Sequence, residues 1–313
     1  MPFFSKKWNP DGLHAYVTGG STGLGLSLAV LLASKGAHVS IVARNQQRLD
    51  KALESIEAAR QTPNQILKAY SCPLTNATDS AAALETVCAP HRGRAPDAVF
   101  ACAGSSKPGF FVEMTEDDLT QGMFNGYWIQ AWTAYAGARM MVRQKRKGKI
   151  VLVSSTLGYI SFIGWASYSP AKHALRGLGD TLHSELMLYG IDVHTFFPPT
   201  MFTPGYEEEN KTKPKITKQI EDSDDGLTPD QAALAMLKGV ESGHAHIAGD
   251  MITRLFRAST RGAAHRGNWL LDGLLDFVAY IACPVWRSGV DKMVVAHRIE
   301  HEKYLEEKGF FAS

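Results

Sequence analysis

Cysteine and excess charge are both scarce in this chain of 313 residues. The four cysteines form no CxxC pair and no cluster with histidines at metal-ligand spacing. We therefore expect neither disulfides nor a bound metal, and a reducing compartment fits best. The 33 basic and 31 acidic residues leave a net charge of +2, which gives no reason to expect nucleic acid as a partner. One basic run, 143–149, follows a helical pattern, and we interpret it as a solvated helix end rather than a binding patch.

The first thirteen residues also lack a long apolar run. This absence predicts neither a signal peptide nor a membrane span ahead of the first strand, so any membrane attachment must come from later in the chain. The sequence shows no internal repeat and no low-complexity tract.

Short apolar segments alternate with longer helical patterns through the first two thirds of the chain. The strand candidates, rich in Val, Ile and aromatic residues, are 14–18, 38–43, 66–71, 97–101, 149–154 and 191–197. Several are apolar throughout, which is typical of strands buried on both faces of a parallel sheet. The repeated β-α units predict an α/β fold with a doubly wound, Rossmann-type parallel sheet.

The character of the chain changes after the sixth strand candidate. Residues 199–227 are polar, contain proline and are long for a connection, so we expect a mobile loop that serves as a lid over the substrate. Thr228, followed by proline, predicts the N-cap of a helix that ends near residue 242, with a short strand near 244–247. The domain hypothesis is a catalytic domain over 1–254 and an apolar C-terminal extension over 255–313.

A glycine-rich turn joins the first strand candidate to an apolar helix. The candidate cofactor-binding residues in this turn and helix start are Gly19, Ser21, Thr22, Gly23, Leu24 and Gly25. Glycine lets the backbone approach a pyrophosphate, and a helix N-terminus supplies N–H donors. A glycine motif alone is weak evidence for a dinucleotide site, but this one has the strand–turn–helix context that such a site needs.

The end of the second strand candidate indicates which dinucleotide is bound. An NAD site has a carboxylate there for the ribose 2′-hydroxyl, whereas this chain has Arg44, with Arg48 one helical turn further on. Guanidinium groups suit phosphate geometry, so we predict NADPH rather than NADH. The alternative is a surface arginine at a strand end.

Four polar residues are the candidate catalytic groups. Tyr168 and Lys172 are four residues apart, which places them on one face of a helix, where an ammonium is expected to lower the pKa of a tyrosine that donates a proton. Ser155 follows the fifth strand candidate, at the sheet edge where α/β proteins build their sites. Asn125 interrupts a long helical pattern, where it would mark a kink and a water site; by itself it is equally compatible with an exposed polar position.

These features together resemble the short-chain dehydrogenase/reductase superfamily over roughly residues 14–200. The Asn-Ser-Tyr-Lys tetrad of that family falls on Asn125, Ser155, Tyr168 and Lys172. The resemblance implies that Tyr168 is the acid of a ketone reduction, that Ser155 orients the substrate oxygen, and that Lys172 also binds the cofactor ribose. Dimers or tetramers are usual in this superfamily, so a homo-oligomer is an open expectation.

Two departures from the family pattern stand out. Cys102 occupies the place of the usual asparagine in the segment 101–104, which weakens one turn-stabilising contact. In the segment 72–74, Pro73 stands near the place where an aspartate commonly contacts adenine, which leaves Leu74 as the expected cofactor contact.

Three stretches resemble more narrowly the subfamily of 3-ketodihydrosphingosine reductases, namely 42–45, 168–178 and 198–214. The resemblance implies NADPH-driven reduction of a long-chain lipid ketone to dihydrosphingosine, on the cytosolic face of the endoplasmic reticulum membrane. One alternative is a reductase of another lipid, steroid or retinoid ketone. A second is an inactive NADPH-binding scaffold, which the retention of the serine, tyrosine and lysine argues against.

A dense apolar zone at 269–286 is the candidate membrane-associating segment. By length alone it is sufficient to span a bilayer, but Asp272 and Asp276 share a helix face and would be costly within lipid. Pro284 is expected to limit the helix at its far end. We favour a helix that lies at the membrane surface; a true span and a buried soluble helix or dimer contact are the alternatives.

Overall fold

Seven parallel strands form the centre of the protein in a computed structural model that describes residues 7–222, 225–260, 262 and 267–308. The strands are β1 His14–Thr18, β2 His38–Ala43, β3 Leu67–Ser71, β4 Ala98–Ala101, β5 Gly148–Val153, β6 Ile191–Phe197 and β7 His246–Ala248. Their order in the sheet is β3-β2-β1-β4-β5-β6-β7. The six predicted main strands and the doubly wound fold are confirmed, with strand ends within one residue of those expected.

Twelve α-helices accompany the sheet within the described residues. They are α1 Gly23–Ala33, α2 Gln46–Ala58, α3 Ala77–Cys88, α4 Glu116–Met123, α5 Ile129–Arg143, α6 Ser169–Leu186, α7 Pro204–Thr212, α8 Lys215–Glu221, α9 Pro229–Glu241, α10 Met251–Ser259, α11 Trp269–Ala296 and α12 Arg298–Glu307. One apolar core joins α1, α2 and α9 to one face of the sheet, and a second joins α3, α5 and α6 to the other. Both faces are covered, which explains why the strands are apolar throughout.

The strand order reverses beside β1. The chain proceeds from β1 outward through β2 to β3, and then crosses back to place β4 on the other side of β1. In an open parallel sheet the carboxyl ends of the strands on either side of such a reversal diverge and leave a crevice for a ligand. The fold therefore opens its main crevice next to the glycine-rich turn that follows β1.

The expectation that 199–227 forms an irregular loop is wrong, because α7 and α8 make most of this segment helical. Thr203 caps α7 by accepting a hydrogen bond from the Tyr206 N–H at 3.1 Å, and proline follows at the first helical position. This is the same signal that correctly predicted the start of α9, where Thr228 forms a capping box with Gln231. Residues 223–224 of the predicted lid lie outside the described residues.

The C-terminal extension contains one helix, α11, that is long and apolar enough to cross a membrane by length and composition. The prediction that Pro284 limits this helix is wrong, since α11 continues to Ala296. A proline removes one N–H donor, and packing on both sides of it holds the helix together: Ala279 before it and Val290 after it are buried, and Trp286 packs against Phe256 at 5.3 Å between ring centroids. Residues 261, 263–266 and 309–313 of the predicted extension lie outside the described residues.

A buried ion pair connects α10 to α11. The carboxylate of Asp272 accepts hydrogen bonds from the Arg257 guanidinium and from the Gly267 N–H, and its residue is only 1% exposed. Asp272 therefore faces protein rather than water or lipid. The apolar residues of α11 that point away from the protein are, in contrast, largely exposed: Trp269, Leu270, Leu274, Phe277, Val278, Ile281 and Val285.

Candidate active site

The turn after β1 and the start of α1 form a cradle for an anion. Gly19 has φ of +67°, and a Cβ there would lie 2.8 Å from the Ala103 backbone, so only glycine fits this turn. Thr22 is the N-cap of α1, but its side chain makes no capping hydrogen bond. The N–H groups of the first turn are therefore not satisfied by the cap residue and face the crevice, which suits a pyrophosphate.

Arg44 and Arg48 lie where the sequence predicted a phosphate-binding pair. Asn45 caps α2 by accepting a hydrogen bond from the Arg48 N–H at 2.9 Å. Arg44 therefore belongs to the turn between β2 and α2, and Arg48 to the first turn of α2. Both side chains are exposed, and neither forms an ion pair with a described residue. Leu74, at the end of the next strand, is buried against the same space.

The start of α6 positions the candidate catalytic residues Tyr168 and Lys172. Tyr168 is the N-cap of α6, and Lys172 is one turn later, with its Nζ 5.2 Å from the centre of the Tyr168 ring. The Lys172 Nζ donates a hydrogen bond to the carbonyl oxygen of Val153 at 2.9 Å, and the hydroxyl of Ser154 donates to the Lys172 carbonyl at 2.9 Å. These contacts connect the helix to the end of β5, where Ser155 follows.

Burial controls the electrostatics of the two groups. Burial raises the pKa of Tyr168, the negative charge of Glu209 raises it further, and a hydrogen bond with Ser155 opposes both. Burial also lowers the pKa of Lys172 to about 7. Burial is the largest effect on Tyr168 and raises its pKa, so this structure does not show the lowering expected from Lys172.

Asn125 lies in a π-helical turn, Phe124–Trp128, between α4 and α5. The predicted interruption of the long helix is thus confirmed. A Cβ on Gly126 would lie 2.6 Å from the Cβ of Ala171, so the absence of a side chain lets this turn approach α6 between Tyr168 and Lys172. π-Turns within helices are frequent at functional sites because they redirect side chains.

A single cavity of about 770 Å³ brings the predicted residues together. Its lining includes all of the candidate residues: Gly19, Ser21, Thr22, Gly23, Leu24, Gly25, Arg44, Arg48, Leu74, Asn125, Ser155, Tyr168 and Lys172. The residues of the cofactor cradle and Tyr168 therefore face one continuous space. Such an arrangement fits an extended dinucleotide whose reactive end meets a proton donor.

Comparison with known proteins agrees with this geometry, since residues 13–214 match the family described as short chain dehydrogenase. The protein belongs to the short-chain dehydrogenase family. A 3-ketodihydrosphingosine reductase of Cryptococcus neoformans is 42% identical over 312 residues, which cover 100% of this chain and 93% of that relative. A 3-ketodihydrosphingosine reductase of Aspergillus fumigatus is 34% identical over 86% of this chain and 80% of the relative.

Solved structures agree on the fold. A short-chain type dehydrogenase/reductase from Mycobacterium ulcerans superposes with a TM-score of 0.67 at 22% identity, over 77% of this chain and 89% of that one. Short-chain dehydrogenases bind a nicotinamide dinucleotide, and the residues of the cradle fit this cofactor through the open N–H groups of α1 and the basic end of β2. When bound, this cofactor supplies or accepts the hydride.

The sequence reasoning missed five residues of this short-chain dehydrogenase that lie at the cavity wall or directly behind it. They are Ser106, Trp165, Glu209, Lys213 and Glu221, which are connected by hydrogen bonds and ion pairs. The only signal in the sequence was the i, i+4 spacing of Glu209 and Lys213, which is common on exposed helices. Contacts such as the one from Ser106 to Glu209 join residues about a hundred positions apart and leave no local pattern.

The departure at Cys102 has a limited effect on the turn after β4. The Thr18 hydroxyl takes over part of the support by accepting from the Ala103 N–H, at a long 3.4 Å. Burial raises the pKa of the Cys102 thiol to about 12, so this side chain is a neutral thiol beside Lys172. The short-chain dehydrogenase framework therefore tolerates the substitution without gaining a reactive thiolate.

Replacing Lys172 by methionine is expected to stabilise the cofactor-free protein while removing its activity. The pKa of Lys172 falls from 10.5 in the unfolded chain to about 7 in the fold. The charged lysine is therefore less stable in the fold than in the unfolded chain, which lowers the free energy of unfolding. This destabilisation is fully present at pH 7 and below, and shrinks as the pH rises towards 10.5. Since a change of one in pKa corresponds to about 1.4 kcal/mol, Lys172→Met should raise the unfolding free energy at pH 6.5 by about 1–4 kcal/mol.

Chemical unfolding of the wild type and Lys172→Met in detergent, at pH 6.5 and at pH 9.5, measures this effect. The gain should be smaller at the higher pH. Substitution of the exposed Lys51 by methionine is the matched control and should change stability little at either pH. A loss of stability at pH 6.5 in Lys172→Met would contradict the expectation.

Proposed function

We propose that this short-chain dehydrogenase reduces 3-ketodihydrosphingosine to dihydrosphingosine with NADPH, a step of sphingolipid biosynthesis. The observation that carries the proposal is its likeness to reductases of that name along its whole length. That likeness extends beyond residue 214, where the match to the general family ends. It therefore includes α8 and the C-terminal helices.

The shape of the cavity supports a long-chain substrate. From Tyr168 the cavity wall continues to Phe162, Phe256 and Trp286, and Trp286 belongs to α11. The ring of Trp286 contacts both phenylalanines, at 5.3 Å from Phe256 and 6.4 Å from Phe162. An alkyl chain that extends from a ketone at Tyr168 would thus lie on an apolar path towards α11. Helices α7 and α8 also line the cavity, which supports a lid role for 199–227.

In the proposed reaction the hydroxyl of Tyr168 donates a proton to the keto oxygen, and the Ser155 hydroxyl donates a hydrogen bond to the same oxygen. Lys172 binds the ribose hydroxyls of the cofactor. Asn125 holds a water that returns protons towards Lys172. The bound cofactor provides the hydride for the keto carbon.

The central test is turnover of 3-ketodihydrosphingosine by the purified protein. With NADPH, absorbance of the reduced nicotinamide should fall while mass spectrometry detects dihydrosphingosine. Tyr168→Phe is the matched control: it should still bind NADPH but lose about 10²–10⁴-fold in turnover, as expected when a general acid is removed. Faster turnover of a steroid, retinoid or simple fatty ketone would contradict the proposed substrate, and a fully active Tyr168→Phe would contradict the proposed acid.

The proposed preference for NADPH rests on Arg44 and Arg48, which line the cavity and have no carboxylate partner among the described residues. A 2′-phosphate would provide their counter-charge. Arg44→Asp should therefore weaken NADPH binding and bring the two cofactors closer in kcat/KM. Lys51→Asp, an equal charge change on the exposed side of α2, is the control and should leave the preference intact. A wild type that uses NADH and NADPH equally well would refute the preference.

We further propose that α11 attaches the protein to a membrane surface, on the cytosolic face of the endoplasmic reticulum. Exposed apolar side chains on one helix, rimmed by tryptophan, suit the interface between headgroups and acyl chains. Asp272 is held inside the protein by Arg257, so it does not oppose such contact. A lipid ketone would then enter the cavity from the membrane that dissolves it.

Flotation with phosphatidylcholine vesicles tests the attachment. The triple substitution Leu274→Ser, Phe277→Ser and Ile281→Ser should release the protein from the vesicles, because it removes most of the exposed apolar area of one face. Leu188→Ser, an equally exposed apolar residue remote from α11, is the control. Alkaline carbonate should extract an interfacial protein but not a spanning one, and a wild type that never floats would remove the membrane claim.

A further inference from the structure

A buried ion-pair triad lies on the substrate side of the cavity. The Nζ of Lys213 is 2.7 Å from a carboxylate oxygen of Glu209 and 2.7 Å from one of Glu221. The Lys213 side chain is only 1% exposed. The indole N–H of Trp165 donates to the second oxygen of Glu221 at 2.9 Å, and the Ser106 hydroxyl donates to the second oxygen of Glu209 at 2.5 Å. Every member of the triad is thus fixed in place.

The charges of the triad do not balance. Two carboxylates share one ammonium, which leaves a net negative charge in a largely desolvated place. Burial works against the Lys213 ammonium, yet its hydrogen bonds with Glu209 and Glu221 raise its pKa and keep it charged. Burial raises the pKa of Glu221. A site of this kind is completed by a second cation, because buried charges are stable only when paired.

The unbalanced charge faces the cavity. Glu209, Glu221, Trp165 and Ser106 belong to the cavity lining, whereas Lys213 lies behind them, with its Nζ 5.1 Å from the Trp165 ring centre. The wall therefore presents the carboxylates to a ligand and not the ammonium. Each carboxylate oxygen accepts one hydrogen bond from the protein and retains a lone pair for another donor.

Glu209 is the member of the triad that acts on the catalytic residue. Its negative charge is the largest effect of a neighbouring charge on Tyr168, and it opposes loss of the tyrosine proton. In the absence of a ligand cation this placement is unfavourable for an acid catalyst. A cation bound to Glu209 would remove the opposition at the moment when the proton is transferred.

We propose that Glu209, held by Lys213 and Ser106, binds the ammonium group that lies on the carbon next to the keto carbon, and so makes the enzyme selective for 2-amino ketones. The inference rests on the proposed function, because 3-ketodihydrosphingosine carries its amino group at carbon 2 and its keto group at carbon 3. Glu209 and Tyr168 line the same cavity. The Trp165 ring is 5.1 Å from the Lys213 Nζ and 5.5 Å from the Tyr168 ring, so the triad lies close to the tyrosine that would protonate the keto oxygen. Glu209 is a specificity-determining residue and does not itself transfer the proton.

The test compares two substrates of equal chain length, 3-ketodihydrosphingosine and the 1-hydroxy-3-ketone in which hydrogen replaces the amino group. The wild type should prefer the amino ketone in kcat/KM by about 10- to 100-fold, the size expected for a hydrogen bond between charged groups. Glu209→Gln keeps the shape and can still accept from Ser106. The Glu209→Gln variant should lose most of that preference, because its kcat/KM for the amino ketone falls while its kcat/KM for the deamino ketone stays near the wild-type value.

Glu208→Gln is the matched control, because Glu208 is on the same helix but is exposed and paired with Lys211. It should keep the wild-type preference. NADPH binding by each variant checks that it is folded, and the preference of the wild type is informative even if Glu209→Gln fails to fold. Equal use of the two ketones by the wild type, or an unchanged preference in a folded Glu209→Gln, would overturn the inference while leaving the proposed function intact. Absence of turnover with both ketones would instead overturn the proposed function and the inference with it.

Discussion

The backbone of Val153 is the point on which the geometry of the site depends. Its carbonyl oxygen accepts hydrogen bonds from the Lys172 Nζ and the Gln130 amide, and its N–H donates to the Gln130 oxygen at 2.8 Å. The last residue of β5 is thereby tied to α5 and α6 at once. Ser155 follows two residues later and Tyr168 is the N-cap of α6, so these contacts hold in place the elements that carry the candidate catalytic groups.

The cavity that Val153 helps to line combines basic, acidic and aromatic side chains. The exposed guanidinium groups of Arg44 and Arg48 line it where a phosphate is expected. Its lining also contains Glu209 and Glu221 of the triad and the aromatic rings of Phe256 and Trp286. A polar anion, an amino ketone and an alkyl chain would each meet an environment of matching polarity. Trp286 belongs to α11, the helix that carries the exposed apolar surface.

The sequence was most informative where a local pattern reports a local structure. Apolar runs located six strands within one residue, and the tetrad of Asn125, Ser155, Tyr168 and Lys172 lines one cavity as expected. It was least informative where local signals conflict. The polarity of 199–227 favoured a loop, although the Thr203 cap and the proline after it already indicated a helix. Pro284 favoured a helix end, but packing of Trp286 and Val290 outweighs the single lost hydrogen bond.

By itself the sequence determined the fold class and the family, and it predicted a dinucleotide site and a catalytic tetrad whose residues line one cavity, because strands, helices and short motifs leave local patterns with the period of a strand or a helix. Only the tertiary structure decided how burial sets the protonation of Tyr168 and Lys172, since desolvation depends on atoms brought in from the whole chain. It alone also joined Glu209, Lys213 and Glu221 into an ion-pair triad and placed the Ser106 hydroxyl against Glu209. Charge balance in a buried site cannot be read from the sequence, because the electrostatic attraction between two charges depends on their distance in the fold and not on their separation along the chain.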